Sequence, residues 1–356
     1  QRVGLAGARA RDDQQRPRVG GGVAGAVLHS LALRVVQIIH SLYINTANDN
    51  IAIGTASWTD KTLIDCGRFY PKEAKTAEAR LRHYGAQFPV VEVDSSYYGI
   101  PAPGNAVLWA QRTPPDFTFN VKAFRLLTGH QTSPVVLHKD LQQALGPNAP
   151  KVLYYKDTPA EIRDALWVRF IEALAPLREA GKLGAVHFQF APWLLRNREG
   201  MAHVEHCVEK MAGHLLAVEF RNKSWFDGAN ADKTLDFERR LNLVHTIVDG
   251  PQGVGNCVPC IWDVTNPQLA IVRLHGRNRD TWNQQGLTAS SSRFDYWYSK
   301  DELAALLPEV KAIADRACKV QVLFNTNMED QGQVNARLFA GLLPRQGAIR
   351  PAVNMG

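Results

Sequence analysis

The chain has 356 residues, 45% hydrophobic and 21% charged, enough apolar material for one barrel-sized domain or two smaller ones. It contains no uncharged apolar run of about eighteen residues, which argues against a membrane-spanning helix. The net charge of +7 falls largely in residues 1–48, where six arginines face two aspartates, and the remaining +3 is too small to argue for a polyanionic partner.

Residues 1–48 are rich in Gly, Arg and Gln and are expected to form a poorly ordered extension or translated upstream sequence. Their Gly20, Gly21, Gly22 and Gly25 resemble a phosphate loop, but no strand leads into them. Eight short apolar runs then read as β-strands: Ile51 to Ser57, Val90 to Ser95, Phe117 to Lys122, Ala185 to Phe190, Leu215 to Arg221, Leu243 to Asp249, Ala270 to His275 and Val320 to Asn325. Helix-length amphipathic stretches separate most of them, the alternation expected of a parallel sheet. Thr76 to Phe88 places Leu81, Tyr84 and Phe88 on one face, and Pro159 to Ala180 carries Ile162, Leu166, Phe170 and Leu174 at helical spacing. Ser299 to Arg316 opens with a Ser-Lys-Asp-Glu capping signature. These stripes are core against the sheet and call for no cofactor.

Two insertions exceed what a barrel requires, Leu126 to Thr158 after the third strand and Gly276 to Tyr298 after the seventh. They are candidates for lids, binding edges or variable surface. The predicted architecture is α/β: a single TIM-like (β/α)8 barrel over residues 49–345, a tail at 346–356, and a site at the carboxyl ends of the strands. The five cysteines are odd in number and widely spaced, which fits a reduced, cytoplasmic protein better than a disulfide scaffold. Cys257 and Cys260 form a CxxC pair, read as incidental thiols because neither a second pair nor a thioredoxin-like context accompanies it.

Strands of a closed parallel barrel are covered on both faces and should be nearly continuous apolar runs. Several here alternate instead. Val91 and Val93 oppose Glu92 and Asp94; Phe117, Phe119 and Val121 oppose Thr118, Asn120 and Lys122; Val218 and Phe220 oppose Glu219 and Arg221; Val272 and Leu274 oppose Arg273 and His275. With the apolar set against the helices, the charged set points at the axis. Glu92, Asp94, Glu219 and Asp249 are the acids of that set, and Lys122, Arg221, Arg273 and His275 its basic members, so the cluster is close to neutral. Burying charge costs several kcal/mol unless it is paired, so one reading is a plug of structural ion pairs. The position at the strand ends favours a functional site.

Glu92 and Glu219 could act as a general acid and base, or serve as counter-ions. Lys122 could form a Schiff base, stabilise an oxyanion or complete an ion pair. Arg221 and Arg273 suit a carboxylate or phosphate. His275, within Arg273-Leu274-His275-Gly276-Arg277, joins a titratable imidazole to a backbone that a ligand can approach. A metal could be drawn from His187, His245, His275, Glu92 and Asp249, but the cations in the same mouth oppose a divalent ion, and no metal is expected. His203, His206 and Cys207 fit a solvated helix face. Trp58, Tyr97, Tyr98, Trp193 and Trp225 fall at the rim, where rings can stack on a sugar or a base or pack beneath the loops.

These residues carry a family resemblance. Gly54-Thr55-Ala56-Ser57-Trp58, Gly67-Arg68-Phe69-Tyr70-Pro71, Val91-Glu92-Val93-Asp94-Ser95-Ser96-Tyr97-Tyr98 and Phe119-Asn120-Val121-Lys122-Ala123 are similar to segments of the YecE-like family, the domain of unknown function 72. So are Phe188-Gln189-Phe190-Ala191-Pro192, Val218-Glu219-Phe220-Arg221 with Ser224-Trp225-Phe226, Arg273-Leu274-His275-Gly276-Arg277, and Phe324-Asn325 with Asn335-Ala336. The resemblance spans Ile51 to about Leu343 and implies a one-domain TIM-like barrel, without an established activity. Asp94 and Thr326 stand where the family usually has Asn, and Gln189-Phe190-Ala191-Pro192 departs from its Gln-Pro-Pro-like segment.

The expected function is an enzyme, a hydrolase or lyase, acting on an anionic sugar- or nucleotide-containing ligand. Its candidate chemical groups are Glu92, Lys122, Glu219, Asp249 and His275, and its candidate ligand contacts are Ser57, Trp58, Asp94, Tyr98, Gln189, Arg221, Trp225, Arg273 and Asn325. The alternatives are a non-catalytic ligand- or nucleic-acid-binding protein, whose nucleic-acid affinity would fall steeply with salt, and a metal-dependent phosphodiesterase-like barrel.

Overall fold

The computed structural model describes residues 50–254, 257–282 and 290–343. The expected extension at 1–48, with its glycine cluster, the tail at 346–356 and part of the insertion after the seventh strand lie outside the described residues.

Eight parallel strands close into a barrel in chain order: β1 (Ile51–Ala56), β2 (Val90–Val93), β3 (Thr118–Lys122), β4 (Leu183–Gln189), β5 (Leu216–Glu219), β6 (Val244–Asp249), β7 (Ala270–Leu274) and β8 (Val320–Phe324). The circle is completed by β1 pairing with both β2 and β8. Every predicted strand is present, shorter by a residue or two where the polar cluster at its carboxyl end leaves the ladder. Among the described residues the helices include α1 (Lys61–Asp65), α2 (Ala77–Gly85), α3 (Pro103–Gln111), α4 (Lys139–Leu145), α5 (Ala160–Glu179), α6 (Arg198–Lys210), α7 (Asn230–Arg240), α8 (Arg279–Trp282), α9 (Lys300–Ala314) and α10 (Gln331–Leu342). The capping box read at Ser299 is formed with Glu302 at the start of α9, and Thr76 caps α2 through the Ala79 amide. None of these helices is long and apolar enough to cross a membrane.

The alternation within strands sorts two cores. Val91, Val93, Phe119, Val121, Val218, Phe220, Val272 and Leu274 pack in the large outer cluster with the helices. Val90, Ala185, Ala217, Val244, Ile271 and Leu323 form a separate cluster inside the barrel. Small and branched residues fill that tapering interior at the amino ends of the strands. Above it the interior turns polar: the Asn120 amide donates to Gln321 Oε1 (2.6 Å) while its own oxygen accepts from the Ala185 amide (3.0 Å), at the register shift between β3 and β4. Gly54 is required where β1 meets β2, because a Cβ there would lie 2.0 Å from the Val90 carbonyl oxygen.

The insertion after β3 carries α4 and an antiparallel bridge between Thr132 and Leu153 that ties its two arms together. It therefore packs as a built wall at one side of the barrel mouth.

Candidate active site at the barrel mouth

Arg273, on β7, is fully buried and organises the centre. Its Nη1 donates to Glu219 Oε2 on β5 (2.5 Å) and its Nη2 to Glu92 Oε1 on β2 (2.7 Å). Two buried carboxylates are thereby held by one guanidinium, a fork geometry that lysine could not supply. Burial by itself would raise both carboxyl pKa values, but Arg273 overcomes it, with histidines adding to the effect, and both groups stay well below the usual carboxylate range. Glu219 is saturated with donors: Gln189 Nε2 (2.7 Å) and Arg221 Nη1 (2.8 Å) also reach its Oε1. His187, from β4, lies between the two acids, with Nδ1 3.2 Å from Glu92 and Nε2 3.5 Å from Glu219. Neither nitrogen is aligned for a hydrogen bond among the described residues.

His275 follows β7. Its Nδ1 faces the Asn325 amide nitrogen at 2.8 Å, and its Nε2 lies 3.4 Å from Glu219 Oε1. Asn325 Oδ1 lies 3.4 Å from Arg273 Nη2, and Arg273 Nη1, which can only donate, lies 3.3 Å from His275 Nε2. Burial pushes this imidazole down to about 4, so it is neutral near pH 7.

Closer to solvent, Lys122 Nζ donates to Asp94 Oδ1 at 2.8 Å and stands 4.7 Å above the Tyr97 ring. Burial would strip the Lys122 proton, but Asp94, seconded by Glu92, outweighs it and raises the pKa. Arg125 covers the same tyrosine at 5.2 Å, and Arg221 lies 5.2 Å from the Trp282 ring. Glu92, Asp94 and Glu219 balance Lys122, Arg221 and Arg273, so Arg125 leaves the mouth with an excess of positive charge. His130, on the inserted wall, packs edge-on to Tyr97 (5.3 Å). Its imidazole is lowered to about 3, first by burial and then by Lys122, Arg125 and Arg221.

The structure thus gathers Glu92, Asp94, Lys122, Gln189, Glu219, Arg221, Arg273, His275 and Asn325. It does not bring Asp249 among them. In register Asp249 pairs with Leu274, which faces the helices, so its side chain leaves the barrel on the outer side. There it accepts from Arg277 (2.9 Å) and from the buried Tyr298 hydroxyl (2.5 Å). The inward assignment fails because β6 turns Thr246 and Val248 to the axis in register with Ile271 and Arg273.

Two rim aromatics are core as well. Trp225 is fully buried, stacked on Phe220 at 3.7 Å with its Nε1 bonded to the Leu194 carbonyl, and Trp58 packs edge-on to Trp109 and Phe119. Ser57 serves its own loop, with φ at 76° and its hydroxyl accepting from the Thr59 amide. Tyr98 and Trp193 remain about half exposed, at 47% and 50%. His203 and Cys207 are not on a solvated face: the imidazole reaches the Leu127 carbonyl (3.0 Å), Cys207 is buried beside it, and His206 meets the Tyr155 hydroxyl (2.7 Å). All three pin α6 to the inserted wall. Cys257 and Cys260 carry free thiols whose pKa burial raises, for Cys260 to about 12.

Arg125 and His130 are the members of the mouth that sequence reasoning missed, and His187 was weighed only as a metal ligand. Their signal was position: all three follow or belong to strands β3 and β4. Among the described residues no group of three or more His, Cys, Asp or Glu is placed to hold a metal ion.

A family model described as "Protein of unknown function DUF72" matches residues 52–354. The UPF0759 protein YunF of Bacillus subtilis (strain 168) is 30% identical over 306 residues, covering 83% of this chain and 98% of that protein. A crystal structure of a DUF72 family protein from Enterococcus faecalis V583 superposes with a TM-score of 0.68 at 27% identity, over 83% of this chain and 99% of that one. A second, from Thermotoga maritima MSB8, gives 0.64 at 26% identity, over 82% and 98%.

Proposed function

The chain belongs to the family of proteins of unknown function DUF72, and we propose that it is an enzyme that binds a small anionic ligand at the barrel mouth and cleaves it, as a hydrolase or lyase, by acid–base chemistry that draws on Asp94, a residue in which this chain departs from the family pattern. The observation that carries this reading is the Lys122–Asp94 pair, set near the barrel mouth together with Arg221, whose guanidinium is anchored on buried Glu219. Arg221 commits Nη1 to Glu219 and keeps further donors for a carboxylate or phosphate. A ligand anion arriving there competes with Asp94 for Lys122. The released carboxylate is then a proton acceptor, and the ammonium stabilises charge that develops on the ligand.

Glu92 and Glu219, held ionised by Arg273, have no proton to donate. Their part in this reading is positional: they fix Arg273, Gln189 and Arg221, while neutral His275 and Asn325 close the network from the β7 and β8 side. A general-acid role for either member of this pair is accordingly less well supported than a role for Asp94 and Lys122.

The test begins with a thermal-shift screen of sugar phosphates, uronates, nucleotides and divalent ions, since a specific ligand stabilises by mass action. For the substrate so found, Asp94→Asn should lower turnover by about 10²- to 10⁴-fold while ligand still binds. An Asp94→Asn protein with undiminished turnover refutes the assignment.

A further inference from the structure

Beside the mouth, the inserted wall and the loop between β4 and α6 enclose a cleft of about 540 Å³, lined among others by Tyr154, Asp157, Trp193, Leu195, Asn197 and Glu199. We infer that this cleft is a subsite for an uncharged pyranose ring, so that the ligand of the proposed active site is an acidic saccharide: its anionic unit in the mouth, a neutral sugar in the cleft. This deepens the proposed function and rests on it for the anionic half only.

Three observations carry the inference. First, the two exposed rings form a corner. The Trp193 indole is 50% exposed yet tied by its Nε1 to the Gly129 carbonyl at 3.0 Å, and Tyr154 stands 6.5 Å away at 74° to it. One ring offers a preorganised face for the C–H side of a pyranose while the other borders its edge. Second, the polar lining is wrong for phosphate and right for hydroxyl groups. Asp157 and Glu199 supply acceptors and the Asn197 amide nitrogen a donor, its oxygen being used by the Gly200 amide at the start of α6, and the carboxylates outnumber the single cation of the lining, Lys156. A nucleotide backbone would meet like charge here. Third, a chain of packed rings joins the wall of the cleft to the mouth. Trp193 packs on His130 (5.7 Å), His130 on Tyr97 (5.3 Å), and Tyr97 lies beneath Lys122 (4.7 Å). In the proposed complex the second unit of the ligand lies beyond buried His130, toward Tyr97 and Lys122.

Calorimetric titration of the full chain separates the two halves, with cellobiose as the neutral probe, glucuronic acid as the anionic one, glucuronosyl-glucose as the linked ligand and adenosine monophosphate as the competitor chemistry. Trp193→Ala should weaken cellobiose by about tenfold or more and leave glucuronic acid unchanged, whereas Arg221→Gln should do the reverse. The linked disaccharide should bind more tightly than either part and respond to both substitutions. Asp157→Asn with Glu199→Gln changes no volume and should also weaken cellobiose. Cellobiose that fails to bind, or binds equally to all variants, overturns the subsite. So does adenosine monophosphate weakened by Trp193→Ala and strengthened by the double amide variant, which would assign the cleft to a base. Loss of glucuronic acid binding in the wild type, with cellobiose still sensitive to Trp193, removes the anionic mouth instead.

Discussion

Replacing Arg273 with methionine tests the electrostatic centre directly. The guanidinium is fully buried and neutralises two carboxylates that are themselves 1% exposed, at 2.7 Å and 2.5 Å. Methionine keeps most of the volume and removes the charge, leaving Glu92 beside His187 and Glu219 with Arg221 as its remaining cation. Breaking one buried pair by removing a partner costs about 3–5 kcal/mol, and here one substitution breaks two, although Glu219 keeps Arg221. The loss should therefore fall within that range near pH 7, a fall in Tm on the order of 10 °C.

The sign of the pH dependence follows. In the wild type both folded carboxyl pKa values are depressed, so they contribute stability above the unfolded value of about 4.3 that is lost as pH falls below it. In Arg273→Met the raising influence of burial loses its main opponent, leaving only His187 and Lys122 against it at Glu92. The folded pKa of Glu92 then rises above the unfolded one, and stability is recovered as it binds a proton on acidification. Thermal unfolding followed by circular dichroism at pH 7.5 and 4.5 should show the gap between the proteins narrowing. Adding Glu92→Gln and Glu219→Gln to Arg273→Met should restore a large part of the loss. A penalty below about 1 kcal/mol, or a gap that does not change with pH, would refute the reasoning.

Three further outcomes follow from the packing. Burial lowers the His245 pKa and its buried partner Glu238, 3.0 Å away, outweighs this to leave it raised, so this pair stabilises fully below the unfolded histidine value of about 6.5 and progressively less as pH rises through the folded pKa; His245→Gln should flatten the alkaline side of the Tm profile. Gly54→Ala forces a methyl group onto the Val90 carbonyl and should cost about 2–4 kcal/mol, read as a lower urea midpoint at unchanged slope. Trp225→Ala empties the stack against Phe220 and should cost about 3–5 kcal/mol without abolishing ligand binding at the mouth, since the ring does not face it.

Much of this molecule was legible in local sequence. Apolar runs at helix-separated intervals specify eight strands, because each must be covered on both faces, and period-two alternation within β2, β3, β5 and β7 identifies the residues that turn inward. Glu92, Lys122, Glu219 and Arg273 meet for that reason alone. The same rule misplaced Asp249: β6 sets His245 and Asp249 on one face against Val244, Thr246 and Val248 on the other, so its charged set reads as inward, whereas its pairing with β7 turns Thr246 and Val248 to the axis.

Trp58 and Trp225 sit at strand ends exactly as Trp193 does, yet neighbouring aromatics cover the first two and leave the third open. Residue type gives no hint of that difference. Arg125 and His130 reach the mouth only because the insertion after β3 folds back across Tyr97, and His203 is buried only because that insertion lies over α6. The sequence by itself determined the strands and most of their inward charge through short-range periodicity. Tertiary structure decided which charges pair, which rings stay exposed and where the cleft opens, because those depend on strand register and loop packing between residues far apart in the chain.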